Sequence, residues 1–136
     1  MAETFQLEIV TPEKLVVRDM ADEIQIPGRN GYLGVLPGHA PLITELGAGE
    51  ISYRSNGQLH RFSMAWGFAE VLPDRVTVLA ETVEPAEEID VSRAQQSLAK
   101  AEDLLKTAQS ESEFAVATDK IKRAEARLEV SRHKEG

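Results

Sequence analysis

The hydrophobic period of the chain changes once, and the change divides it into two unlike parts. In the first part, apolar residues recur at every second position in short runs, as in strands with one buried face. From Asp90 onward they recur at alternating steps of three and four, which is typical of packed helices. Eight of the nine glycines and all six prolines lie at or before Pro85. We therefore expect an α+β chain with a β domain over residues 1–85 and a helical domain over residues 86–136.

The first part predicts an antiparallel β-sandwich or a flattened barrel, because its short runs are separated by Gly, Pro and Asn turn sequences. The clearest hairpin lies at Asn56-Gly57, since both residues tolerate the positive φ of a type I′ turn. The predicted strands cover residues 5–10, 15–17, 23–26, 32–36, 51–53, 59–64, 68–72 and 76–80.

The second part predicts two helices of about four turns that form an antiparallel hairpin. Asp90 is the expected N-cap of the first helix, and Ser110, with Glu113 as its capping-box partner, caps the second. Four of the ten seam positions are alanine, so the hairpin buries little area and should be marginal without a docking surface. The seam residues are Val91, Ala94, Leu98, Ala101 and Leu105, facing Phe114, Ala117, Ile121, Ala124 and Leu128.

Composition excludes several classes of function. A net charge of -8 argues against nucleic acid, which is bound by basic surfaces. There is no cysteine, and the three histidines show no metal-ligand spacing, so no metal site is expected. Neither a phosphate-binding loop nor a nucleophile elbow occurs, so we expect no catalysis by this chain alone. Residues 120–134 are locally basic, with six Lys or Arg against two Glu, which indicates either a solvated helix face or a surface for an anionic partner.

One glycine- and proline-punctuated segment, residues 31–44, carries the best-defined motif. In it Gly34 is expected to allow close backbone approach, Pro37-Gly38 to turn the chain, and Pro41 to interrupt pairing before the strand resumes. The run GYLGVLPGHAPL over residues 31–42 resembles the signature of the epsilon subunit of F-type ATP synthases. The resemblance continues in register through residues 67–71, 74–80 and 89–94 and so covers nearly the whole chain.

This resemblance implies a ten-stranded β-sandwich and a helical hairpin at the foot of a rotary central stalk. Its implied partners are the gamma subunit, the membrane c-ring and the catalytic alpha/beta head, at the cytoplasmic face of the bacterial plasma membrane or its thylakoid equivalent. The c-ring contact would fall to the loop Arg29, Asn30, Gly31 and Tyr32, where Tyr32 replaces a frequently acidic residue. The gamma-facing positions would be those of the family motif, namely Gly34, Pro37, Gly38, His39 and Pro41.

The resemblance also implies a regulatory hairpin that inhibits ATP hydrolysis and binds ATP as a ligand, with no cofactor required. The family's ATP motif is matched by Ile89, Asp90, Arg93 and Ala94, with Glu84 on the adenine side and Lys100, Arg123 and Arg127 for the phosphates. Arginine forks suit phosphate oxygens, and Lys100 replaces an arginine by a point charge. Two alternatives stay open: a plain helix cap with solvent-facing Arg–Glu pairs in place of the ATP site, and a free-standing ATP-binding sensor in place of a stalk subunit.

Overall fold

Eight strands precede a short 3-10 turn and two helices in the computed structural model, which describes residues 3–133. The turn, Ala86–Glu88, joins the last strand to the first helix. The strands are β1 (Phe5–Val10), β2 (Leu15–Ala21), β3 (Glu23–Gly28), β4 (Gly31–Val35), β5 (Leu42–Leu46), β6 (Gly49–Ser55), β7 (Gln58–Leu72) and β8 (Arg75–Pro85). The helices are α1 (Val91–Thr107) and α2 (Glu111–Ser131).

The strands pair in the order β2-β1-β8-β7-β5-β3-β4, and β6 pairs with both β3 and β7. The prediction of antiparallel pairing is wrong for one neighbour pair, because β1 and β8 run parallel. No hairpin joins these two strands, which stand at opposite ends of the β domain in sequence, so turn geometry does not dictate their relative direction. The other pairs are antiparallel in residues 3–133.

A corner folds the paired strands into two layers. Strands β5 and β6 both pair with β7, and they do so in the same register, with Leu46 opposite Gly67 and Gly49 opposite Met64. The pairing is interrupted between these two residue pairs. Inside that break Trp66 takes a left-handed conformation, φ 56°, and its N–H donates to the Gly47 carbonyl at 3.1 Å. The first part of β7 therefore belongs to a layer with β6, and the last part to a layer with β5.

The predicted strand set is largely confirmed. The structure has eight strands where the resemblance implies ten. Residues 59–64 and 68–72, predicted as separate strands, form one strand, and β5 was anticipated only as the strand that resumes after Pro41. The turn at Asn56-Gly57 has φ values of 52° and 77°, as a type I′ turn requires.

The two layers enclose one hydrophobic core, which explains why the strand alternation is so regular. On β1, Phe5, Leu7 and Ile9 are fully buried and the residues between them are not. They pack in the same cluster as Ile24 and Ile51 of the other layer. Fully burying side chains of this size contributes about 1.5 to 3 kcal/mol each, so the sandwich supplies most of the stability of the chain.

Helix α1 begins where predicted, since the Asp90 carboxylate accepts from the Arg93 N–H at 3.1 Å. At α2 the Ser110 hydroxyl accepts from the Glu113 N–H at 3.1 Å, which confirms the N-cap. The returning bond differs from the predicted capping box. In a capping box the Glu113 carboxylate would accept from the N–H of the N-cap residue, Ser110. It accepts instead from the N–H of Gln109, one residue earlier, at 2.9 Å.

The predicted helix seam is confirmed except at its first position in each helix. Its central alanines, Ala94, Ala101, Ala117 and Ala124, are buried between the helices, but the end positions Val91 and Phe114 are exposed. Alanine seams let two helices approach closely while burying little area, which agrees with the expectation of a hairpin that needs a support.

The support is the sandwich, against which α2 packs through a second face that the sequence pattern did not reveal. This face includes Ala126 and Val130, which are buried, and Val130 packs with Ala86 and Ile89 in a small cluster of its own. Helix α2 lies on β6 and β7, whereas α1 packs chiefly on α2. The hairpin is therefore docked through one helix.

We expect Gly67→Ala to destabilise the chain by at least about 2 kcal/mol in denaturant unfolding, because a Cβ there would lie 1.9 Å from the Leu79 carbonyl oxygen of β8. Gly34→Ala is the matched control. A Cβ at Gly34 meets nothing within 4 Å, so the expected close backbone approach at this residue is wrong, and the free energy of unfolding should change by less than about 0.5 kcal/mol. Equal effects of the two substitutions would contradict the corner geometry.

Candidate functional site

An ionic network centred on Arg123 joins α2 to the corner of the sandwich. Its Nε donates to Asp119 Oδ2 at 2.9 Å within the helix, and a terminal nitrogen donates to Glu81 Oε2 at 2.6 Å across to β8. The other terminal nitrogen reaches the Thr82 hydroxyl at 3.4 Å. Burial alone would lower the pKa of Arg123, but the hydrogen bonds to Glu81 and Asp119 outweigh it and raise that pKa.

Trp66 attaches the same network to β7. Its indole N–H donates to Asp119 Oδ1, so the two oxygens of this carboxylate bind one donor from the sandwich and one from α2. The Lys122 ammonium lies over the indole ring, 5.6 Å from the centroid, in a cation–π contact. The left-handed backbone of Trp66 and the indole contact with α2 thus occur at one residue.

The second predicted phosphate arginine, Arg127, faces the predicted adenine-side residue Glu84. Its Nε lies 3.2 Å from Glu84 Oε1, an ion pair whose angle is not that of a hydrogen bond. That oxygen is buried and has no hydrogen-bond partner in residues 3–133. Both side chains line a cleft of about 540 Å³ between α2 and the sandwich, together with Lys14, Phe62, Ser63, Thr82 and Glu88.

The remaining residues of the predicted ATP site do not join this pair. Ile89 is buried in the small apolar cluster under α2, and Asp90 caps α1. Arg93 and Lys100 lie on the exposed surface of α1, and neither side chain has an ionic or hydrogen-bonding partner in the part of the chain that the structure describes. The docked hairpin therefore brings Glu84 and Arg127 together and leaves the α1 cations facing solvent.

A third contact ties the end of α2 to the predicted c-ring loop. His133 Nδ1 lies 2.7 Å from Glu50 Oε1, and Arg61 donates to the other oxygen of Glu50 at 3.1 Å. The Glu50 N–H in turn donates to the Tyr32 hydroxyl at 2.9 Å. The pKa of Tyr32 is raised, chiefly because burial disfavours the charged phenolate, so its hydroxyl stays protonated near neutral pH.

The predicted c-ring loop is a tight turn at one end of the sandwich. Arg29 and Asn30 are its two turn residues, and Gly31 follows with φ 133°. Arg29 donates to both oxygens of Glu45 at 2.9 Å, which holds the turn against β5. Tyr32 is half exposed even though its hydroxyl is bonded, so the ring remains available at the surface.

The family motif forms the turn at the opposite end of β4 from the predicted c-ring loop. Pro37 and Gly38 reverse the chain, Gly38 has φ 86°, and its N–H donates to the Pro73 carbonyl at 2.8 Å. His39 Nδ1 lies 2.6 Å from the Ala40 carbonyl oxygen, a contact that stabilises the turn. Pro41 immediately precedes β5, so strand pairing resumes directly after this proline, as predicted.

An apolar groove on the outer face of the sandwich was missed by the sequence reasoning. It has a volume of about 610 Å³, and its exposed walls are Phe68 and Leu79, which stand opposite each other on β7 and β8. The groove continues to Val10, which is the partner of Leu79 on β1, and to Pro12. Strand alternation could have located it, because Phe68 and Leu79 are outward positions that should otherwise be polar.

Two further observations concern membranes and metals. Within residues 3–133 neither helix is long and apolar enough to cross a bilayer. The same residues contain no group of three or more His, Asp or Glu side chains arranged to hold a metal ion.

Two family models match consecutive parts of the chain. Residues 4–86 match the ATP synthase delta/epsilon chain β-sandwich domain, and residues 87–132 match the long α-helix domain of the same chain. The ATP synthase epsilon chain of Koribacter versatilis is 64% identical over 107 residues, which are 79% of this chain and 75% of the relative. That of Geotalea daltonii is 45% identical over 132 residues, 96% of each chain.

The fold has a counterpart among solved structures. A chain in the cryo-EM structure of the Euglena gracilis mitochondrial ATP synthase superposes with a TM-score of 0.84 at 22% identity, covering 96% of this chain and 82% of that one. This superposition confirms the α+β fold class, and the family matches confirm the family resemblance. The relatives are named as chains of an ATP synthase, which agrees with the expectation of a subunit that is not an enzyme by itself. The chain belongs to the ATP synthase delta/epsilon chain family, and the relatives that it matches are epsilon chains.

Proposed function

We propose that this chain is a rotor subunit of the central stalk of an F-type ATP synthase. In this role the sandwich binds the gamma subunit and rests on the c-ring, and it helps to transmit proton-driven rotation to the catalytic alpha/beta head. The enzyme would lie at the cytoplasmic face of the bacterial plasma membrane, with this subunit peripheral to the bilayer. The observation that carries the proposal is the apolar groove beside Phe68 and Leu79, on a chain that matches the family over residues 4–132.

The groove is the best candidate for the gamma contact. Phe68 and Leu79 are each more than half exposed, and they form one stripe because they are register partners. Covering such side chains contributes about 25 cal/mol per Å² of apolar area, so they have the character of an interface core. The motif turn at Pro37 and Gly38 precedes β5, whereas the groove lies beside Glu45 and Leu46 at the end of that strand, so the turn is proposed as a second and separate gamma contact.

The c-ring contact is proposed for the turn formed by Arg29, Asn30, Gly31 and Tyr32. The ion pair between Arg29 and Glu45 links the turn to β5, and because both side chains are largely exposed it contributes at most about 1 kcal/mol. Tyr32 presents an aromatic face in place of a carboxylate, so the contact to polar c-ring loops would rest on packing and on hydrogen bonds more than on charge.

The hairpin is proposed to be an inhibitory arm. Helix α2 docks on the sandwich with few apolar residues and several surface ion pairs, which are worth about 0 to 1 kcal/mol each. A state in which α2 leaves the sandwich is therefore close in free energy. Undocking frees Arg123 and Arg127 of the basic segment 120–134, which then engages acidic surface on the catalytic head and blocks hydrolysis. Lys134 of this segment lies outside the described residues.

ATP is the proposed regulatory ligand of the docked hairpin. The ATP-binding residues proposed from the family motif are Glu84, Ile89, Asp90, Arg93, Lys100, Arg123 and Arg127. The cleft that Glu84 and Arg127 line supports a ligand at this place, since it holds a buried Glu84 oxygen that is ion-paired with Arg127 but has no hydrogen-bond partner in residues 3–133. An adenine amino group could donate to that oxygen.

No observation favours the free-standing sensor over the stalk subunit, and co-purification with gamma at fixed stoichiometry separates the two.

The double substitution of Phe68 and Leu79 by alanine in the full chain should weaken gamma binding by about 2 to 4 kcal/mol, because it removes the apolar walls of the groove. Binding is measured by calorimetry with purified gamma. Leu59→Ala, which removes an exposed leucine elsewhere on β7, is the control and should leave the affinity unchanged. If the double variant binds gamma as the wild type does, the interface lies elsewhere.

Removing residues 86–136 should raise the ATP hydrolysis rate of the reconstituted enzyme and leave proton-driven synthesis largely intact, since the truncated chain keeps the sandwich surfaces and loses the arm. Hydrolysis is followed at low and at high ATP against the enzyme with the full chain. A hydrolysis rate that does not change at either concentration means that the hairpin is not an inhibitor.

Arg93→Ala should weaken ATP binding to the isolated chain by about 1 to 3 kcal/mol, the usual contribution of a charge-assisted hydrogen bond. Lys120→Ala removes another exposed cation and should have no effect. Titration calorimetry measures both variants. Equal losses would indicate nonspecific charge attraction, and no heat from the wild type at millimolar ATP would reduce the motif to a helix cap.

A further inference from the structure

The docked hairpin uses the arginines of the proposed phosphate site for contacts within the chain. Arg123 binds Asp119 and Glu81, and Arg127 faces Glu84. A triphosphate would require the same guanidinium groups, because these are the bidentate donors that α2 offers on this side. The three carboxylates therefore occupy the positions at which an anionic ligand would bind.

We infer that Trp66, Glu81 and Asp119 form an internal latch that keeps the hairpin docked without nucleotide and competes with a triphosphate for Arg123. The latch concerns the regulation of the proposed ATP site, and its regulatory meaning rests on the proposed function. Docking itself is a property of the isolated chain.

Asp119 is the centre of the latch because its two oxygens bind donors from different elements. Trp66 of β7 donates to one oxygen, and Arg123 of α2 donates to the other before reaching on to Glu81 of β8. The result is a closed path of contacts from β7 through α2 to β8. Charge-assisted bonds of this kind are about twice as strong as neutral ones, and they break together when α2 leaves.

The latch is attached to the most constrained part of the sandwich. Trp66 and Glu81 are aligned across β7 and β8 at the corner, between the register pairs Ala65 with Thr82 and Gly67 with Ala80. Gly67 leaves no room for a Cβ against β8, so the neighbouring Trp66 is held in place by the backbone. A preorganised donor loses little entropy on binding, which favours docking.

Charge along α2 matches the surface below it. The arginines Arg123 and Arg127 meet Glu81 and Glu84 of the sandwich, one carboxylate each. Internal anions thus neutralise both guanidinium groups, which lie about one turn of α2 apart. A nucleotide can stabilise the docked hairpin further only after it displaces the carboxylates that already bind these arginines.

The test measures opening of the hairpin in the full chain without gamma. The sequence has no cysteine, so Ala126→Cys places a single thiol at a position that is buried between α2 and the sandwich. Its rate of reaction with a thiol reagent, without nucleotide, reports how often the hairpin opens. Ala115→Cys, exposed on α2, gives the rate of an accessible thiol on the same helix.

We expect the buried thiol of Ala126→Cys to react at least about a hundredfold more slowly than the exposed thiol of Ala115→Cys without nucleotide, and millimolar ATP to slow it by less than about twofold. Adding Asp119→Asn, or separately Trp66→Phe, should speed the reaction of the buried thiol roughly tenfold, the effect of losing one charge-assisted bond. Asp103→Asn, an exposed carboxylate on α1, is the matched control and should leave the rate unchanged.

Two results would overturn the latch. One is a buried thiol that reacts as fast as the exposed one until ATP is added, because the nucleotide would then be what closes the hairpin. The other is an unchanged rate for the buried thiol in both the Asp119→Asn and the Trp66→Phe backgrounds. Either outcome leaves the stalk assignment intact, since gamma binding and hydrolysis by the assembled enzyme are measured separately.

Discussion

The close approach of two backbones at Gly67 is the constraint on which the rest of the structure depends. Because this residue has no Cβ, the Leu79 carbonyl of β8 comes to where a side chain would begin. The strands can then fold over at one line, and the paired strands become two layers around one core. The same corner holds Trp66 in a left-handed conformation, with its indole on Asp119 of α2. The site for the hairpin is thus a consequence of how the sandwich turns its corner.

The two parts of the chain are stabilised by different forces. The sandwich buries large side chains in a continuous core, whereas the hairpin buries mainly alanines and docks through ion pairs and one indole. Apolar burial holds the sandwich as one rigid unit, but partly exposed ion pairs contribute little each and weaken with salt. A helix held in this way can leave its support without unfolding the domain below. This asymmetry fits a rigid stalk element that carries a regulatory arm.

The sequence was sufficient for features that local chemistry decides. The hairpin at Asn56-Gly57 and the helix caps at Asp90 and Ser110 follow from turn and capping preferences, and the structure has all three. The parallel pairing of β1 with β8 could not be foreseen, because local periodicity does not report which distant strands become neighbours. Gly34 was misjudged for a related reason, since whether a glycine is crowded depends on tertiary neighbours. The candidate site divides in the same way. Glu84, Arg123 and Arg127 were named from the family motif, but the ion pairs that the two arginines form with Glu81 and Glu84 of β8 join positions far apart in sequence and were not predicted.

Two surfaces of the structure were not predicted from the sequence, for different reasons. Helix α2 has a second buried face at Ala126 and Val130, which the seam pattern concealed because small residues carry little periodic signal. The exposed groove at Phe68 and Leu79 could have been predicted, since both residues are apolar at outward strand positions.

The central claim, that α2 is docked on the sandwich corner by contacts within the chain, is tested most directly at Trp66, the single tryptophan. Acrylamide quenching and the emission maximum of the nucleotide-free wild type are compared with those of Asp119→Asn. A docked helix that covers the indole predicts weak quenching in the wild type, with stronger quenching and a red-shifted maximum in the variant. Identical quenching and emission in the two proteins would contradict the account.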